Sequence, residues 1–226
     1  MRFLLVIAGL LFNLNFIAQA QAEVVKADGA SFDLQLPTGY CAMSRKQPVE
    51  KQHYELQDRM QQEVNAVLLM AVPCSDIDLV RAGKPWKQWM IWLLNGKPGN
   101  HTKLPATMTR GAVVEELAKA MPAIDLSKVT EQVDKAAGKE GIGLKIRNMS
   151  VLAKDNDALY TTQTLDVSAA GGTRQIGVVM GWVALKEHIL TVNAYADYKG
   201  IETIKTLQTL AKDALMRTIT ATEKQK

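Results

Sequence analysis

Three histidines, His53, His101 and His188, are the first side chains to weigh for catalysis or metal binding, and no two of them stand at ligand spacing. A transition-metal site draws on donors a few residues apart, as in His-x-x-x-His or paired Cys/His, and the chain contains no such pattern. His53 falls on the apolar side of an expected helix and reads as a packed, hydrogen-bonded histidine. His101 sits in a polar loop and reads as solvated. His188 follows Glu187 at a turn. The carboxylates read in the same structural sense. Asp76 and Asp78 flank Ile77 and suit the start of a short helix, whose positive end favours acids. Asp155-Asn156-Asp157 opens like a calcium loop but lacks Gly at the sixth position and Glu at the twelfth, so it reads as a hairpin turn. Glu115 and Glu116 are adjacent on a helix and share no face. No serine lies in Gly-x-Ser-x-Gly. Gly141-Ile142-Gly143 opens a strand, where a phosphate cradle would open a helix. No catalytic, metal or cofactor residue is assigned, and no cofactor is expected.

One constellation remains. Trp86, Trp89 and Trp92 fall close together, just before a loop, residues 96–105, rich in Gly and Pro and carrying Lys97, His101 and Lys103. Aromatic faces beside cationic side chains form a ligand platform. Read as a strand, residues 86–94 put Trp86 and Trp92 on one face and Trp89 on the other. Read as a helix, the three rings recur at every third position. The bounding Gly83-Lys84-Pro85 and Asn95-Gly96 favour the strand. A strand buries all three rings only if both faces of its sheet are covered. Trp86, Trp89, Trp92, Lys97, His101 and Lys103 are therefore the candidate binding residues, for an unknown envelope protein or a small ligand. Packing into the core is the competing reading.

The N-terminus bears on where such a site would work. Arg2 precedes an apolar run over residues 3–11, extended by Phe16 and Ile17, and two overlapping Ala-x-Ala patterns end at Ala20 and Ala22. That is the layout of a secretory signal peptide over residues 1–22. Its apolar core is shorter than the ~20 residues of a membrane span, and no cysteine at the cleavage point offers a lipid anchor. The expectation is a periplasmic protein, residues 23–226, without a transmembrane anchor after cleavage, sized for one domain and monomeric. Hydrophobic residues make up 47% of the 226, so the core needs no metal or disulfide to hold it. The formal charge of +4 is spread out. It forms no Lys/Arg block that could track a phosphate backbone, so nucleic acid is not an expected partner.

Two cysteines are present, Cys41 and Cys74. An oxidising compartment favours their pairing. Residues 47–63 read as a helix about 25 Å long, and residues 65–72 as a strand of about 26 Å. Out along one and back along the other returns Cys74 to the end where Cys41 lies, so the two are expected to be bridged.

The remaining elements follow from periodicity. Residues 31–36 alternate apolar and polar and read as a half-buried strand. In the first helix, Val49, His53, Leu56, Met60 and Val64 form one apolar stripe, with Pro48 in its first turn. Residues 66–72 are apolar on both faces and read as a central strand. A short helical turn at 76–82 ends at Gly83 and Pro85. Helices are expected at 111–121 and 127–137, the second capped by Ser127 and followed by Gly138. Four strands, 144–154, 159–168, 173–185 and 188–196, are joined by short turns and read as an antiparallel meander. An amphipathic helix over 200–220 ends the pattern. The sum is an α+β fold: a mostly antiparallel sheet of about seven strands with helices on both faces.

This order resembles the PsbP-like fold of exported α/β/α proteins, through the Phe32-Asp33-Leu34-Gln35-Leu36-Pro37 strand, the late meander and the terminal helix. Gly39-Tyr40-Cys41, Val72-Pro73-Cys74, Arg81-Ala82-Gly83 and Val192-Asn193-Ala194-Tyr195 are similar to an uncharacterised family of exported proteobacterial proteins. That family implies no known activity, and the fold resemblance implies an accessory or binding role. The leading expectation is an exported, non-enzymatic binding or accessory protein acting through residues 86–103. The alternatives are an envelope enzyme of hydrolase type and a purely structural envelope component.

Overall fold

A computed structural model describes residues 22–169 and 171–225. The expected signal peptide lies outside the described residues, apart from Ala22. Ala22 opens a strand, β1 (Ala22–Ala27), which pairs with β2 (Ala30–Gln35). Asp28 and Gly29 connect them with φ of 52° and 80°, the two-residue turn that Asp-Gly favours because both positions need positive φ. Next come β3 (Tyr40–Ala42), α1 (Pro48–Gln61) and β4 (Asn65–Pro73), then α2 (Ile77–Arg81), β5 (Gln88–Lys97) and β6 (Asn100–His101). The second half holds α3 (Arg110–Ala120), α4 (Leu126–Gly138), the strands β7 (Gly143–Lys154), β8 (Leu159–Ala169), β9 (Gly172–Leu185) and β10 (His188–Asp197), and α5 (Ile201–Lys224).

The main sheet has eight strands in the order β3-β4-β5-β10-β9-β8-β7, with β6 paired to β5; β1 and β2 form a separate ribbon. All the pairings are antiparallel. The α+β class and the late meander therefore stand as read. The strand at 86–94 is shifted: β5 begins at Gln88, so Trp86 precedes it. The ladder between this strand and β10 ends at the Gln88–Ala196 pair.

Side chains alternate across the strands, and each face of the sheet meets its own helices. On one face Met90, Trp92 and Leu94 of β5 join Leu190 and Val192 of β10 beneath α5, whose Ile204, Leu207, Ala211, Leu215 and Ile219 are buried. The helix comes close enough that a Cβ on Gly181 would lie 3.1 Å from Leu215 and 3.2 Å from Tyr160. Along its outer side α5 covers β2. Buried Thr222 and Thr218 accept hydrogen bonds from the backbone amides of Asp33 at 2.9 Å and Gln35 at 3.1 Å. Those amides would otherwise be left without partners.

On the opposite face α1 packs on β4 and α4 on β7, near the two edges of the sheet. Tyr54 anchors α1. Its hydroxyl donates to the Met43 carbonyl at 3.2 Å and accepts from the Met70 amide at 2.9 Å. Burial pushes this phenol up to about 12. At the start of α1, Gln47 accepts from the Glu50 amide at 2.9 Å. The fully buried Glu50 carboxylate binds Arg81 at 2.7 Å and the Ser44 amide. The disulfide between Cys41 and Cys74 is present, with Cα atoms 4.8 Å apart, and ties β3 to the end of β4 as the matched element lengths required.

Three capping expectations change. Asp125, not Ser127, caps α4: its carboxylate accepts from the Ser127 amide at 3.1 Å and the Lys128 amide at 3.4 Å. The Ser127 hydroxyl is itself a donor to that carboxylate. Gly138 is the last residue of α4 instead of lying past it. Asp76 stands at the N-cap of α2, but its side chain accepts from Ser75 and caps no helix amide.

Candidate functional site

The six expected binding residues take separate positions. Trp92 is fully buried under α5. Trp86 lies edge-on to the His53 ring, with centroids 4.4 Å apart. His53 is half-buried and packed, but its Nε2 finds no hydrogen-bond partner, contrary to the expectation of a bonded histidine. Burial holds its imidazole below the usual range, against the opposing pull of Glu50. Lys97 pairs with Glu63 at 2.5 Å. His101 is not solvated: its side chain is 6% exposed and lies 3.4 Å from Asp28 in the β1–β2 turn. Its ring stands 6.5 Å from that of His188, which is also buried and bonded to the Lys186 carbonyl. Lys103 is exposed, and its backbone bridges to His188. Of the six, Trp89 lines the cavity between α1 and α4, on the face opposite Trp92.

That cavity, about 430 Å³, lies between α1 and α4. It exists because the two helices sit over opposite edges of the sheet and leave the strands between them uncovered. Leu56, Met60 and Val64 wall it from the α1 side, Val129 and Val133 from α4, and Met121 and Ile124 from the turn between α3 and α4. The floor runs from Trp89 of β5 through Asn193 and Tyr195 of β10 and Met180 and Trp182 of β9 to Leu165 of β8 and Leu144 of β7. The apolar stripe expected to pack α1 onto the core thus divides. Tyr54, outside that stripe, is the buried anchor, while Leu56, Met60 and Val64 face the cavity.

Neutral polar side chains also line the cleft: Gln57, Gln61 and Asn65 on the α1 side, and Gln163 and Thr191 on the sheet. Trp89 and Tyr195 face each other across the β5–β10 ladder, and their rings stack at 4.9 Å with planes 2° apart. Asn193 donates from Nδ2 to the Tyr195 hydroxyl at 3.2 Å, and its Oδ1 is buried without a partner. Burial raises the Tyr195 phenol above its ordinary value, so it keeps its proton at neutral pH. Trp182 donates from Nε1 to Thr161 at 3.0 Å. Arg174 is the one charged side chain among the described lining residues, and it is bound to Asp197 and to the Trp86 carbonyl. The described lining contains no histidine, cysteine, lysine or carboxylate. What the site offers is apolar surface with a small hydrogen-bonding patch at the floor. Elsewhere, no group of three or more His, Cys, Asp or Glu side chains converges among the described residues. The Asp155 carboxylate accepts from the amides of Asp157 and Ala158, which is turn chemistry.

Sequence reasoning passed over this cleft, although Asn193 and Tyr195 stand in the Val192-Asn193-Ala194-Tyr195 segment. The available signal was an amide side chain on the buried face of an otherwise apolar strand, which demands a partner.

Fold and site together define an α+β protein whose antiparallel sheet carries helices on both faces, with an apolar cleft between α1 and α4 on one face. No protein-family model and no curated protein matches the chain. Among solved structures it is similar to cyanobacterial PsbP (CyanoP) from Synechocystis sp. PCC 6803, at a TM-score of 0.41 and 10% identity, over 91% of this chain and 98% of that one. It is also similar to the Ran-binding protein Mog1p of Saccharomyces cerevisiae, at a TM-score of 0.34 and 9% identity, over 88% of this chain and 94% of that one. Among the described residues no helix is long and apolar enough to cross a membrane.

Proposed function

We propose that this chain is an exported periplasmic protein with a non-enzymatic binding or accessory role, and that it holds an apolar ligand in the cleft between α1 and α4. On this reading residues 23–226 are one domain, processed from a precursor like those of the exported proteobacterial family whose short motifs it resembles. The observation that carries the reading is the cavity itself: about 430 Å³, lined by apolar side chains of both helices and five strands. Ligand pockets run from ~300 to ~1,000 Å³ with this kind of lining. Leaving Leu56, Met60 and Val133 only half-buried forgoes burial that would otherwise stabilise the fold, which is intelligible if a ligand covers the rest of them. Export is supported by the layout of residues 1–22 and by the Cys41–Cys74 bond, which suits an oxidising compartment. Of the residues first assigned to binding, Trp89 belongs to this site.

Titration with N-phenylnaphthylamine, which brightens in apolar surroundings, tests the cleft. Saturable emission is expected, with loss of binding in Val133→Trp at an unchanged melting temperature. Absence of saturable emission, or full binding by the filled variant, overturns the assignment. Envelope-fraction protein should begin at Gln21 or Glu23 by mass spectrometry, and retention of Met1 would remove the case for export.

A further inference from the structure

We propose that the ligand is an uncharged amphiphile bearing a hydroxyl-type group, seated with that group on the Asn193–Tyr195 pair. The inference rests on the ligand-binding reading and specifies what the cleft takes. Asn193 is 6% exposed. Its amide has one polar atom engaged, Nδ2 on the Tyr195 oxygen, and one atom, Oδ1, without a partner. A buried acceptor left open is costly, and native structures seldom keep one without a reason. The Tyr195 hydroxyl uses its oxygen to accept from Asn193, so its proton remains to be given. Oδ1 has almost no accessible surface in the unliganded chain, so a hydroxyl that accepts from Tyr195 completes the arrangement by donating to Asn193 once that side chain shifts toward it. Turning the amide over exchanges its two ends and still leaves one of them open, and a hydroxyl satisfies either orientation. The stack of Trp89 on Tyr195 holds the phenol in place without a ligand, so the donor half of the polar seat is pre-formed.

Charge decides between ligand classes. A carboxylate or phosphate on this floor would lose its water without gaining a cation. The single charged lining residue, Arg174, already has its charge paired with Asp197, through Nε and Nη2. Burying an unpaired charge is far costlier than burying a neutral hydroxyl. The walls of Leu56, Met60, Val129 and Val133 then take the hydrocarbon body.

Competition against N-phenylnaphthylamine by decanol, decyl methyl ether and decanoate tests this on the purified protein. The ether keeps the acceptor and loses the donor, and decanoate adds a charge. Decanol is expected to displace the probe at a concentration at least about tenfold lower than either. Tyr195→Phe and Asn193→Leu should each abolish that preference while still binding the probe. Tyr195→Phe keeps the stacked ring, so it reports even if the Asn193 variant fails to fold. Equal displacement by decanol and its ether, a preference that survives in Tyr195→Phe, or strongest displacement by decanoate would overturn the inference and leave apolar binding intact. Failure of the unsubstituted protein to bind the probe or any competitor overturns both.

Discussion

Arg59 and Glu140, 81 residues apart, are joined by two parallel hydrogen bonds, Nε to one carboxylate oxygen at 2.7 Å and Nη2 to the other at 2.9 Å. The pair ties α1 to the segment that follows α4, so it links the two elements that wall the cleft. Two-pronged pairing of this kind fixes geometry as well as distance. Exposed pairs contribute little to global stability, so the consequence of this one lies in how freely the walls separate.

Glu140→Gln should leave the melting temperature nearly unchanged and speed release of a bound probe, measured by stopped-flow dilution. The hydrogen bond from Arg59 holds the Glu140 carboxyl below its usual range. The pair is therefore complete at neutral pH and is lost only as pH falls through that lowered value. Release from the unsubstituted protein should accelerate there, and the acceleration should vanish in Glu140→Gln. Identical release in the two proteins at all pH values would show that the pair restrains nothing.

The tryptophans separate core from site. Trp92→Ala should cost ~3–5 kcal/mol in urea unfolding, as for other large buried aromatics. Trp92→Phe should cost much less, because the buried indole nitrogen has no partner to lose. Trp89→Ala should unfold more gently than Trp92→Ala and should weaken probe binding, since it removes the ring stacked on Tyr195 at the cleft floor. If Trp89→Ala destabilises as strongly as Trp92→Ala and binding by the folded fraction is normal, Trp89 belongs to the core.

These cases show what a linear reading can and cannot reach. Strands β7 to β10 were legible because period two persists over ten or more residues and the turns between them are short. Strand β1 was not, because Val24 and Val25 adjoin an expected cleavage site and only the Asp28-Gly29 turn announces the ribbon. Periodicity placed Trp89 and Trp92 on opposite faces, but it could not say which face a helix covers. The stripe of Leu56, Met60 and Val64 looked like core for the same reason: an apolar side chain facing a packed neighbour and one facing an open cavity are identical in sequence. The cleft is assembled from alternate residues of five strands and two helices, and only the relative placement of α1 and α4 creates it.

Reduction of the Cys41–Cys74 bond should lower stability without abolishing the fold. The bond closes a loop with a sequence separation of 33, which the chain-entropy argument converts to about 3–4 kcal/mol. The core under α5 does not depend on it. Urea unfolding with and without reductant measures the difference. Loss of all structure on reduction would mean that the bond, and not the core, holds the N-terminal half.

The β9–β10 turn is built from residues poorly suited to it. Lys186 and Glu187 have φ of 50° and 62°, a region that costs an ordinary side chain roughly 1 kcal/mol or more. The turn is held by the His188 ring on the Lys186 carbonyl and the Leu104 amide on the Glu187 carbonyl. Both contacts use backbone carbonyls and survive substitution. Replacing Lys186 with Asn and Glu187 with Gly should therefore stabilise the protein by about 1 kcal/mol, net of the added freedom of glycine when unfolded. A fall in melting temperature would show that these side chains make contributions their exposure does not reveal.

His53 sets a further pH dependence. Packed against Trp86, its imidazole is held below the ordinary value of 6.5 by burial, with Glu50 pulling the other way. The unfolded chain takes up the proton near 6.5, and the folded chain only at lower pH. Between those values the unfolded state binds more protons, so stability is complete above the unfolded value and declines as pH falls through the folded one. His53→Phe keeps a ring against Trp86 and removes the titration. Thermal melts between about pH 7.5 and 5 should show a smaller acid loss in the variant, and the His53 ring resonances should titrate below 6.5. A His53 titration at or above the ordinary value, with matching acid limbs in the two proteins, would show that the Glu50 carboxylate outweighs burial at this site.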